Sequence, residues 1–199
     1  MSPCNVNPTG IPIAPPPSIA ITLAINPPNF TLGSDVELSV TAVSKAPYPV
    51  TVDTWWTILN PKIQQGLGSL VGVDKDTHEE LMLHSAHFHM APAFLDDHTL
   101  GGSHDEYFVT LEPGQPRVFN TSFIAAYGSE DYPPDVMPSL RYLIDLRESE
   151  EINWWKKGRK EDVLDLPGQN REAGRADGKP IALKLDVPVE FAVLPPALE

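Results

Sequence analysis

The sequence predicts an all-β fold: an antiparallel β-sandwich, immunoglobulin-like, with two long insertions and little helix. Three observations predict it. At least five segments alternate apolar and polar residues with period two, as half-buried strands do. Pro supplies 22 of the 199 residues, roughly twice average usage, and Pro is excluded from helix interiors and central strands. No stretch carries a long helical repeat. A closed β-barrel or a jelly roll is the alternative that the same pattern admits.

Residues 1–17 hold Pro3, Pro8, Pro12, Pro15, Pro16 and Pro17 and read as an extended arm. A single sandwich domain is expected over 18–197. Its first strand is Ser18 to Ile25, with Ile19, Ile21, Leu23 and Ile25 on one face, stopped by Asn26-Pro27-Pro28. After the turn Leu32 to Asp35, a second runs from Val36 to Val43, with Val36, Leu38, Val40 and Ala42 inward. A third is expected from Val50 to Leu59. The stretch 62–105 reads as an irregular insertion and carries all six histidines. Strands resume at Tyr107–Leu111, turn through Glu112-Pro113-Gly114-Gln115, and continue at Arg117–Phe123 and Leu140–Leu146. A second insertion covers about 147–179, with one short helix expected from Arg159 to Leu166. Two strands, Ile181–Leu185 and Val189–Val193, close the chain. The expected core is Ile21, Leu23, Leu38, Val40, Leu143, Phe191 and Val193.

The formal net charge is −13. Such a surface repels phosphate, and only Lys156-Lys157-Gly158-Arg159-Lys160 offsets it, so nucleic acid and anionic membrane are poor partners. The single Cys4 forms no intramolecular disulfide. No 18-residue apolar run exists, and the first residues lack the basic and apolar regions of a signal peptide, so a cytoplasmic location is the expectation. Asn29 and Asn120 head Asn-x-Ser/Thr sequons, which matter only in a secreted chain. Oligomeric state is left open, a homodimer included.

The turn Leu111 to Gln115 and the strand Arg117–Phe123 after it resemble immunoglobulin-type sandwich modules, among them the pro-domains of fungal deuterolysin-type peptidases. Trp154-Trp155, Gly158, Glu161-Asp162-Val163-Leu164 and Val187-Pro188-Val189-Glu190-Phe191 are similar to small fungal immunoglobulin-like β-sandwich proteins, a resemblance that implies a fold and no activity. His87-Phe88-His89 resembles the His-x-His pair of cupins. The Glu that cupins carry four or five residues later is absent, those positions being Ala93 and Phe94, and Arg117 stands where their later His would be.

Leu83 to Met90 concentrates His84, His87 and His89. In an extended chain His87 and His89 share a face, and paired imidazoles can hold a metal, relay protons or bind a substrate. No resident cofactor is expected. If a metal binds, His87 and His89 are its ligands, with a third from His84, His98, His104 or Asp97. The bland alternative is a polar loop that carries histidines on its wet face. The tandem pairs Trp55-Trp56 and Trp154-Trp155 are the second unusual feature. In a strand, neighbours face opposite sides, so one indole of each pair needs a cover. Either the insertions fold over them as packing, or they line an apolar pocket. Nucleophile motifs and phosphate loops are missing, and Gly101-Gly102 reads as a turn.

These features point to a small-molecule-binding β-sandwich, with a cofactor-free tailoring enzyme of secondary metabolism (a cyclase, dehydratase or pericyclase) as its enzymatic form. The expected ligand is a small apolar or aromatic molecule. His87, His89 and Tyr107 are the expected catalytic residues, and Trp55, Trp56, Trp154, Trp155, His84 and Arg117 the substrate-binding ones. The alternatives are a protein-interaction or inhibitor module of immunoglobulin-like type and a metal-dependent cupin-like enzyme. Long insertions rich in His, Trp, Met and Phe favour the first, because irregular loops of this length are usually functional or disordered, and aromatic content opposes disorder.

Overall fold

The computed structural model describes residues 15–60, 69–81, 97–123, 141–168 and 174–195. They form an all-β molecule. In chain order the strands are β1 (Ile19–Asn26), β2 (Asn29–Thr31), β3 (Glu37–Ser44), β4 (Val50–Asp53), β5 (Leu70–Asp74), β6 (Glu80–Leu81), β7 (Phe108–Leu111), β8 (Pro116–Ser122), β9 (Arg141–Leu146), β10 (Glu151–Ile152), β11 (Trp155–Lys157), β12 (Ile181–Ala182) and β13 (Val189–Leu194). A single helical turn, α1 (Lys160–Val163), lies inside the segment expected to be helical.

Two sheets make the sandwich. One has the order β1-β3-β8, the other β2-β13-β9-β5-β6. Only β2 runs parallel to its neighbour β13; the remaining pairs are antiparallel. The chain leaves the first sheet over Pro27-Pro28, which have no N–H to continue a ladder, and enters the second at Asn29. A third sheet, β11-β4-β7, and the short pair β10-β12 flank the sandwich. No sheet closes into a barrel among the described residues.

The core forms where alternation turns apolar residues inward. Ile19, Ile21, Leu23 and Ile25 of β1 and Leu38, Val40 and Ala42 of β3 pack in one cluster with Tyr142, Ile144, Phe191 and Val193 of the second sheet. Burying each such aliphatic or aromatic side chain contributes about 1.5–3 kcal/mol. One end is sealed by rings: Phe191 lies 5.6 Å from Phe30, 5.4 Å from Phe123 and 5.2 Å from Tyr142.

Three expectations need correction. Leu143 is only half-buried, because β9 turns Tyr142, Ile144 and Leu146 inward. Arg141 and Asp145 share the face of Leu143, and two charges decide a face more firmly than one leucine. The stretch read as irregular contains β5, an inner strand paired with β9 on one side and β6 on the other. Finally, the third strand stops at Asp53 rather than Leu59. The Asp53 carboxylate accepts the Trp55 amide at 2.9 Å, and Thr57 and Asn60 donate their amides to the Thr54 and Thr57 carbonyls. Those local bonds turn the chain away from the ladder.

Candidate functional site

The turn after β4 carries Trp55 and Trp56, and its position is fixed from several directions. Asp53 donates its amide to the Trp154 carbonyl, and Thr54 donates both its amide and its hydroxyl to the Tyr107 carbonyl. The Asn60 side chain donates to the Trp55 carbonyl. At the far end of the loop, Glu150 accepts the Ile58 amide at 2.6 Å. Burial pushes the Glu150 carboxyl above its ordinary range, opposed by the Ile58 amide and the Ser69 hydroxyl.

The facing segment runs from Asp97 into β7. The Asp97 carboxylate accepts bonds from Thr99 and from the amide and hydroxyl of Ser103, folding the Thr99–Ser103 loop around itself. Gly102 is required there, since a Cβ would stand 2.6 Å from an Asp97 carboxylate oxygen and 2.9 Å from the Thr99 carbonyl. A 3-10 turn, Asp105–Tyr107, follows, and Lys160 holds it by bonds to the Asp105 carbonyl and carboxylate.

These two segments bring a ring cluster together. Trp55 packs against Tyr107 at 4.0 Å, His104 at 5.1 Å and Trp56 at 6.1 Å. His104 also touches Tyr107 and Phe108. Phe108 continues the chain of rings to Trp154 and His98, which lie 5.0 Å from each other. The cluster reaches the surface at Trp56, which is 45% exposed.

Polar groups are set into this apolar wall. His104 is 2% exposed, and its Nε2 lies 3.7 Å from Asp53 Oδ1, too far for a hydrogen bond. Both His104 Nε2 and Trp55 Nε1 are buried with no hydrogen-bond partner among the described residues. Burial raises the Asp53 carboxyl above the usual range, against the lowering pull of the Trp55 amide and of nearby His104 and His98. An imidazole beside a carboxylate can donate or accept a hydrogen bond and pass a proton to a bound molecule. Among the described residues, no three His, Cys, Asp or Glu side chains converge as a metal-ligand set.

Of the residues singled out from sequence, Trp55, Trp56 and Tyr107 meet directly, and Trp154 joins them through Phe108. Trp155 does not join. It faces the main core, 1% exposed, and donates its indole N–H to the Lys179 carbonyl. Arg117 does not join either; it lies exposed on β8, in the β1-β3-β8 sheet rather than in the flanking sheet of β4 and β7. His84, His87 and His89 lie outside the described residues. The sequence named His104 only as an optional metal ligand and passed over Asp53. The available signal was the Asp-Thr-Trp order, in which an Asp bonds the amide two residues on.

No family model matches the chain, and no curated protein matches it.

Proposed function

We propose that the ring cluster binds a small apolar or aromatic molecule, with His104 and Asp53 beside it as the hydrogen-bonding and proton-transfer groups. One observation carries the reading: Trp55 Nε1 and His104 Nε2 are buried and unpartnered in one set of touching rings. Native proteins leave few buried polar atoms unpaired, since each costs about 1–3 kcal/mol. A ligand hydroxyl or carbonyl that reaches them when Trp56 swings aside recovers that cost, while the indoles and Tyr107 cover its apolar body.

The enzymatic form of this reading is a cofactor-free tailoring reaction of the cyclase, dehydratase or pericyclase kind. Such chemistry rests on shape, orientation and hydrogen bonds to developing charge. The test is titration with naphthol, an aromatic ring bearing one hydroxyl, followed by tryptophan fluorescence. Saturable quenching is expected, weakened about tenfold or more in a His104→Phe variant that keeps the melting temperature. Quenching that never saturates, or that His104→Phe leaves intact, overturns the assignment.

A further inference from the structure

We propose that the ligand of this site carries a quaternary or tertiary ammonium group, seated against Trp55, Trp56 and Tyr107 in front of the Asp53 carboxylate. The inference rests on the small-molecule reading above and adds a positive charge to the apolar body of the ligand, which makes it a free onium compound.

Ring geometry is the first support. The Trp55 plane stands at 70° to Tyr107 and at 76° to Trp56, so the indole meets both neighbours edge to face and the cluster offers ring surfaces in more than one orientation. A flat neutral aromatic stacks on a single ring face. A roughly spherical onium group instead fills a corner and touches several rings at once, and ring faces attract cations within about 6 Å, Trp most strongly.

The carboxylate is the second support, independent of the rings. Asp53 Oδ1 takes the Trp55 amide and faces His104, whereas Oδ2 accepts no hydrogen bond from the described residues. The Asp53 side chain is 21% exposed. No Lys or Arg pairs with Asp53 among the described residues. Lys160, which braces the turn of the site, is committed to Asp105. Burial raises the Asp53 carboxyl above its ordinary range while His104 and His98 pull it down, and a cation seated there pulls it down further. The net charge of −13 adds long-range attraction for a cation and repulsion for an anion.

Calorimetric titration of the full chain compares choline with its uncharged carbon isostere, in which tert-butyl replaces trimethylammonium. Choline should bind at least about tenfold more tightly than the isostere. Trp56→Leu, a surface change that leaves folding alone, should weaken choline severalfold, and Asp53→Asn should erase the preference for the charged ligand. Choline should also bind more tightly than a trimethyl-lysine peptide; the reverse order overturns a free onium ligand in favour of a modified protein. Equal binding of choline and isostere, or none by choline, overturns the proposal. If naphthol still saturates in that case, the small-molecule site stands and only the cationic class falls; if naphthol fails too, both readings fall.

Discussion

Two clusters of aromatic rings occupy this molecule, and they are built on opposite terms. Phe30, Phe123, Phe191 and Tyr142 come from both faces of the sandwich and stack or meet edge-on at 5.2–6.1 Å. Phe30 and Phe191 are nearly parallel, and all four are buried in the main core. The second cluster, Trp55, Trp56, His104, Tyr107, Phe108 and Trp154, lies on the flanking sheet and reaches solvent. It contains an indole N–H and an imidazole nitrogen without hydrogen-bond partners among the described residues and a carboxylate held above its usual range. The first cluster spends its rings on cohesion. The second retains unsatisfied polar atoms among rings, the kind of local inconsistency that folded proteins keep at functional sites.

The sharpest way to break the comparison is Phe191→Ala. It removes the ring shared by three contacts, and a cost of about 3–5 kcal/mol is expected in urea unfolding. A cost below about 1 kcal/mol would show that the first cluster is not the seal of the sandwich. A related pair tests the facing of β9: Ile144→Ala should cost about 2–5 kcal/mol, whereas Leu143→Ala should cost under about 1 kcal/mol. Equal losses would put the inward face of β9 in the wrong phase.

Proton linkage separates the clusters next. Asp53 and Glu150, at the second cluster and its loop, have carboxyls raised by burial. Their folded states hold the proton more tightly than the unfolded chain does. The stability they contribute is therefore complete below the ordinary carboxylate range and is lost as pH rises through their folded values. Asp74, Asp97 and Glu190 run the other way: hydrogen bonds hold them low, so their contribution is present above the ordinary range and is lost as pH falls. Subtracting the stability profile of Glu150→Gln from that of the parent should leave a term declining with rising pH. A difference that rises with pH would contradict the burial of Glu150.

The smallest expected effect is the most telling for the site. Trp55→Phe keeps a ring and deletes the unpartnered N–H, so stability should change by less than about 1 kcal/mol. Naphthol binding should nonetheless drop severalfold by fluorescence of the remaining tryptophans. A large loss of stability would mean that Trp55 is packing, like the first cluster, and not a ligand surface.

Sequence alone determined the strands β1, β3 and β13 and their inward faces, because period-two alternation is a local record of which face is dry. Ile21, Leu23, Leu38, Val40, Phe191 and Val193 are buried as their alternation requires. Proline density and the short helical turn near Lys160 were local signals too. The sequence also marked Trp55, Trp56, Tyr107 and Trp154 as unusual, since strand neighbours cannot both face one core. Tertiary structure decided which of the marked residues meet. Trp154 and Trp155 are adjacent in the chain yet join different clusters, because β11 pairs with β4 and turns Trp155 into the main core. His104 and Asp53 approach each other only because Thr54 donates to the Tyr107 carbonyl and brings the turn after β4 onto the start of β7. That contact joins residues 53 positions apart. Periodicity reports the burial of each residue along its own strand; which partner lies across the gap is set by sheet pairing and loop closure, which no local pattern encodes.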